Sequence, residues 1–167
     1  VARELPLLHD FLLKHNALRI DEAPNEEACE RIWQLRRDFS YSLKHTGLTK
    51  LNEDIVVPRS KLVALVEFAQ QLQKETNIPV ACFGHAGDGN IHTNIMVADY
   101  DDPEIKKTAD GALDKLFNWV IENDGVISGE HGIGLAKKPW ILQALGETSM
   151  NLHRQIKQTL DPKNILN

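Results

Sequence analysis

PVACFGHAGDGNIHTNIMV, residues 79–97, is the stretch whose reading decides the fold. Pro79 to Phe83 and Ile91 to Val97 are short runs rich in apolar residues, separated by Gly84-His85-Ala86-Gly87-Asp88-Gly89-Asn90. Apolar runs bounded by glycine, aspartate and asparagine predict two antiparallel strands joined by a hairpin. Three glycines in six positions cost backbone entropy, so they are expected where φ is positive or another segment approaches closely. His85 enters this turn and His92 leaves it, so a hairpin can fold the two imidazoles toward each other. Asn94 lies two positions beyond His92 and shares its face of the strand.

Working outward, Asp54-Ile55-Val56-Val57 is β-branched and stops at Pro58, a strand leading into a helix. That helix carries Leu62, Leu65, Val66, Ala69 and Leu72 as a buried stripe. Asn52-Glu53-Asp54, just after Lys50, reads as a turn. Near the start, a helix over about residues 3–15 has Leu5, Leu8, Phe11 and Leu12 on one face. Leu18-Arg19-Ile20 predicts a short strand, and Pro24-Asn25 opens a second helix bearing Ala28, Ile32, Leu35 and Phe39. Downstream, Asp102 supplies an N-cap with Pro103 at the first helical position. The helix it starts carries Ile105, Ala109, Leu113, Leu116 and Val120 and ends at Gly125. Val126-Ile127-Ser128 reads as a brief strand, and helical segments over 138–145 and 147–160 run to the Asp161-Pro162 break. This order predicts an α+β fold, an antiparallel sheet with helices packed on one face.

The whole chain sets limits on function. Its 167 residues suffice for one compact domain with a real core. A net charge of −5 with both signs interspersed offers no basic face, which argues against nucleic acid as a partner. No apolar run approaches the roughly 20 residues that span a bilayer. Cys29 and Cys82 form no C-x-x-C pair and read as free, buried thiols in a reducing compartment. The chain opens on Val1, directly in a helical pattern, and reads as a piece of something longer.

Two clusters carry chemistry. His85 and His92 around one glycine-rich turn suit a divalent metal, against the plainer reading of a tight turn with incidental histidines. Ser128-Gly129-Glu130-His131-Gly132-Ile133-Gly134 places a carboxylate and an imidazole between glycines at an element end, where functional groups concentrate. Glu130 can complete a two-histidine, one-carboxylate site. Adjacent side chains on an extended segment point to opposite sides, which leaves His131 for acid–base work. Arg36, with Arg37, can present a guanidinium fork to a carboxylate, and Lys50 a point charge; plain surface charges are the simpler reading of these three. His9, His15, His45 and His153 stand alone and read as surface or packing residues. Trp33, Trp119 and Trp140 read as core or interface anchors. No Walker loop and no G-x-G-x-x-G follows a strand, so the chain shows no nucleotide site of its own.

The segments Gly84 to His92 and Gly129 to Gly134 resemble the two signature segments of the FAD-linked oxidase C-terminal domain, a family found in glycolate oxidase, D-lactate dehydrogenase and D-2-hydroxyglutarate dehydrogenase. Trp33-Gln34-Leu35-Arg36 and Asn52 to Pro58 resemble its upstream motifs, and Asp161 to Asn167 its closing segment. The resemblance implies a ferredoxin-like sheet. It implies that His85, His92 and Glu130 bind a divalent metal, zinc or manganese. It also implies that His131 is the general base and that Arg36, Lys50 and Asn94 hold the substrate carboxylate and hydroxyl. The chain is then the C-terminal substrate- and metal-binding domain, beginning after that domain's first strand, with FAD held by an N-terminal domain outside it. The expected partners are a small 2-hydroxy acid, that flavin domain, an electron-transfer subunit and a second copy in a homodimer. The expected location is the cytoplasm, peripheral to the membrane through partner subunits.

The chemistry fits these residue types. Oxidising a 2-hydroxy acid removes the hydroxyl proton and a hydride from the same carbon. With hydroxyl and carboxylate held on a metal, the hydroxyl pKa falls. A histidine can then take the proton, a step commonly contributing about 10²–10⁴ in rate. No group of this chain accepts a hydride, so flavin must. The isolated chain is expected to bind metal and turn nothing over. Two rival readings are a stand-alone two-histidine, one-carboxylate metalloenzyme and a non-catalytic module stapled by its metal.

Overall fold

The computed structural model describes residues 3–166. The chain divides into two compact units, Val1–Ser42 and Leu43–Asn167. The first holds α1 (Leu5–Lys14) and most of α2 (Glu26–Lys44). Helix α2 begins where the Asn25 side chain accepts the Ala28 N–H at 2.9 Å, as the Pro24-Asn25 signal predicts. Leu18-Arg19-Ile20 is not a strand. Among the described residues it joins no sheet, and Leu18 is fully exposed. Three residues without a ladder partner have nothing to hold them extended.

In the second unit, β1 (Thr49–Val56) pairs antiparallel with β3 (Asn90–Val97), which pairs antiparallel with β2 (Val80–His85), giving the order β1-β3-β2. Helix α3 (Leu62–Thr76) joins β1 to β2, and α4 (Pro103–Glu122) follows β3. Val126 then makes a single antiparallel bridge to Val56. This is the ferredoxin-like β-α-β-β-α order, with the strand expected at residues 126–128 reduced to one bridging residue.

The register sorts side chains to two faces, since directly paired residues share a face. Ile95 pairs with Leu51 and Val80, Thr93 with Glu53 and Cys82, and Ile91 with Ile55 and Gly84. This face meets α3 and α4. Ile55, Ile95 and Val97 form one buried cluster with Leu65, Leu72, Ala109, Leu116, Phe117 and Val120. Each fully buried side chain of this size contributes about 1.5–3 kcal/mol. The second face carries Lys50 with Met96, Asn52 and Ala81 with Asn94, Asp54 and Phe83 with His92, and Val56 and His85 with Asn90.

Asn52-Glu53-Asp54 is therefore no turn but the middle of β1. Strand β3 offers eight consecutive partners, from Thr49↔Val97 to Val56↔Asn90, and that ladder overrides the polar composition. The hairpin closes where the Gly89 N–H donates to the His85 carbonyl at 3.0 Å. Gly89 has φ +81°, and a Cβ there would meet the Val57 carbonyl oxygen at 2.1 Å, so both expected reasons for glycine operate at one position.

Asp102 accepts from the Glu104 and Ile105 N–H groups at 2.9 and 3.0 Å, the cap expected before Pro103. After a 3-10 turn at Lys138–Trp140, α5 (Ile141–Leu160) is interrupted at Gly146, φ +73°, between the two helical segments expected there. Trp119 stacks on Phe68 and Trp140 packs on Phe117, whereas Trp33 is exposed within its own unit. Both cysteines are free, but only Cys82 is shielded: burial pushes its thiol up, while Cys29 is exposed on a helix with no buried residue. Among the described residues no helix is long and apolar enough to cross a membrane.

Candidate active site

The polar face of the sheet ends in an open cleft of ≈ 430 Å³ lined by Val56, His85, Asp88, Asn90, Gly129 and Glu130. Two segments build it. The β2–β3 hairpin brings His85 and His92 to one face, their ring centroids 6.5 Å apart. The Gly129–His131 segment lies across the β1 side of the same face.

Glu130 and His131 do not diverge as an extended segment would make them. Glu130 Oε1 lies 3.9 Å from the Nε2 of His92 and 3.9 Å from the Nε2 of His131, so both side chains turn to one place. The cause is Asp54. One oxygen of its fully buried carboxylate accepts the N–H of Glu130 at 2.6 Å and of His131 at 2.8 Å. Successive N–H groups aimed at one anion form a nest, a bent backbone that no strand adopts. The other Asp54 oxygen accepts from the Asn90 side chain at 2.6 Å. Burial alone would raise the Asp54 carboxyl. The donors from His131, Asn90 and Glu130 outweigh burial and hold it well below the usual carboxylate range.

Within this arrangement His92 is buried, set between the Phe83 and His131 rings at centroid distances of 5.8 and 5.5 Å. The Glu130 and His131 side chains are exposed, at 68% and 42%, and free to meet a ligand. Among the described residues no three of His, Cys, Asp and Glu are already gathered as a metal site. The donor chemistry nevertheless suits a divalent cation: His85 and Glu130 line one cleft, and the His92 imidazole lies 3.9 Å from Glu130.

Asn94 is fully buried on the same face as His92. Its amide nitrogen donates to the carbonyls of Ala81 and His92, both at 3.0 Å. That leaves its oxygen turned away, buried and without a hydrogen-bond partner among the described residues, as is the amide oxygen of the opposing Asn52. Lys50 sits further along the face opposite Met96, and burial, then the Lys44 charge, lower its ammonium pKa. Arg36 is half-buried on α2 in the first unit, where neighbouring Arg37 is tied along the helix to Glu30 and Gln34.

Sequence reasoning missed Asp54, Asn90, Asn52 and Lys137. Lys137 is buried, donates to the Asp54 carbonyl at 3.1 Å and lies 3.5 Å from Glu53. The signal for Asp54 was available: a carboxylate heading a β-branched run is drawn into the strand, and once buried there it needs a partner.

A family model described as FAD linked oxidases, C-terminal domain, matches residues 1–167. The chain is 30% identical over 167 residues to glycolate oxidase subunit GlcD of Bacillus subtilis, covering 100% of this chain and 35% of that protein. It is 38% identical over 158 residues to a D-lactate dehydrogenase of Anaerostipes hadrus, covering 95% and 33%. It is 30% identical over 161 residues to the mitochondrial D-lactate dehydrogenase (cytochrome) of Kluyveromyces lactis, covering 92% and 27%. The chain thus spans about a third or less of the length of these relatives.

Proposed function

The chain belongs to the family of the C-terminal domain of FAD linked oxidases, and from that premise we propose that it is the substrate half of an active site oxidising a small 2-hydroxy acid, of glycolate or D-lactate type, to the 2-oxo acid. The observation that carries the reading is the convergence of His92 and His131 on Glu130, each at 3.9 Å, with Glu130 and His85 lining one cleft.

His131 is the base in this reading. Its ring is partly exposed, stands 3.9 Å from Glu130, which lines the cleft, and is held by its backbone N–H, so it can take the hydroxyl proton of a bound acid. Lys50, on the same face of the sheet, supplies a cation for the substrate carboxylate. Asn94, fully buried and bonded to the Ala81 and His92 carbonyls, braces the two strands that carry the site. His85, His92 and Glu130 would hold a divalent metal, zinc or manganese, which when bound lowers the hydroxyl pKa and fixes the acid's orientation. FAD, held by an N-terminal domain of the intact enzyme, supplies the hydride acceptor. The names of the relatives, glycolate oxidase subunit and D-lactate dehydrogenase, support this substrate class.

The test is anaerobic mixing of the intact enzyme with glycolate and D-lactate. Bleaching of the flavin absorbance, lost in His131→Ala, is expected. A flavin that no 2-hydroxy acid reduces would overturn the reading.

A further inference from the structure

We propose that Asp54 is a positioning residue that sets the working geometry of Glu130 and His131, and that the Glu53-Asp54 dipeptide clamps both ends of the loop carrying them. This inference rests on the functional reading above.

The alternation of a strand sends Glu53 and Asp54 to opposite faces of the sheet. On the cleft side, the Asp54 carboxylate takes the N–H groups of Glu130 and His131, 76 and 77 residues away in sequence. The Gly129 N–H donates to the Asp54 carbonyl at 3.3 Å. On the helix side, Glu53 lies 3.5 Å from the Lys137 ammonium, which also donates to the Asp54 carbonyl and sits over the Phe117 ring. Residues 129 and 137 are therefore both tied to one dipeptide, and the loop between them has fixed ends.

The fit at the clamp is tight. A Cβ on Gly129 would stand 2.0 Å from the Asn90 amide nitrogen and 2.7 Å from Asp54 Oδ1. Asn90 in turn begins β3 and pairs with His85. One buried carboxylate thus links the hairpin carrying His85 and His92 to the loop carrying Glu130 and His131. Nothing else among the described hydrogen bonds joins the Glu130 and His131 backbone to the sheet. Displacement of a reacting group by about 1 Å costs on the order of 100-fold in rate, so the effect of losing this tie should fall on kcat.

The experiment uses the intact flavin-loaded enzyme, with turnover counted per folded, flavin-containing molecule. Asp54→Ala is expected to lower kcat on the order of 100-fold while KM changes less than about threefold. Asp54→Asn should recover most of the rate. Its oxygen can still accept both loop N–H groups, while its amide donates to an Asn90 side chain turned end for end. Gly129→Ala, which leaves every charge in place, should reproduce the Asp54→Ala loss and serves if Asp54→Ala does not fold. A purely structural role would lower the yield of folded enzyme and leave kcat per folded molecule intact. Parental kcat in folded Asp54→Ala, or in Gly129→Ala, overturns the inference. If His131→Ala also kept full turnover, it is the functional reading that fails instead.

Discussion

The Nε2 of His92 and the Oε1 of Glu130 stand 3.9 Å apart, with His92 buried on the central strand and Glu130 exposed on a loop. One partner of this pair is set in the sheet and the other stands exposed above it. In the proposed reading both would hold the divalent metal.

Metal removal tests it. Dialysis of the intact enzyme against a chelator is expected to abolish turnover, and zinc or manganese to restore it. Glu130→Gln should lower metal content measured by elemental analysis, whereas His131→Ala should abolish turnover and spare the metal. Loss of metal in His131→Ala would make His131 the ligand instead.

Asn94 gives a second prediction. Both of its N–H groups serve backbone carbonyls in the sheet. Asn94→Leu strands those buried acceptors, and a cost of about 1–3 kcal/mol in thermal unfolding is expected.

Glu53 and Lys137 form a buried ion pair with side chains 12% and 6% exposed. Burial raises the Glu53 pKa, and Lys137 offsets that in part. Lys137→Met leaves a buried carboxylate uncompensated, and removing one partner of such a pair costs about 3–5 kcal/mol. A carboxyl whose folded pKa is raised favours folding when protonated; that stability is present below its unfolded pKa and is lost as pH rises through the folded one. The deficit of Lys137→Met should therefore be larger at pH 7 than at pH 4, and melting temperatures at both values measure it. The double variant Glu53→Gln/Lys137→Met should recover much of the loss.

Asp161 ends α5 and holds the segment after it. Its carboxylate accepts from Lys157 and from the N–H groups of Ile165 at 2.9 Å and Leu166 at 2.8 Å. The Lys157 bond first, and then the two backbone donors against the opposing effect of burial, bring its pKa down to about 2. A depressed carboxyl contributes stability above its unfolded value, near about 4, and loses it as pH falls toward about 2. Amide exchange at Ile165 and Leu166 should accelerate across that window, and Asp161→Asn should remove the pH dependence.

Local signals were legible wherever chemistry and geometry sit within a few residues. The Asp102-Pro103 cap, the hairpin with Gly89, and the interruption of α5 at Gly146 all follow from backbone preferences of the residues themselves. His85 and His92 were readable as a pair because one turn joins them. Strand β1 was half hidden. Asn52, Glu53 and Asp54 look like a polar turn, and only pairing with β3 makes them extended. Leu18-Arg19-Ile20 erred the other way, an apolar alternation with no partner to pair with.

The sequence by itself determined the family and the α+β order of elements, since each is written in contiguous motifs. Only the tertiary structure decided that Glu130 and His131 turn to one place, that Asn94 braces two strands, and that Asp54 holds the loop. Each depends on which backbone groups meet across the sheet. The Asp54 bonds span 76 and 77 residues, and the Lys137 bond spans 83. No local preference encodes a contact at that separation; it exists only once β1 is paired and the loop has nowhere else to bury its N–H groups.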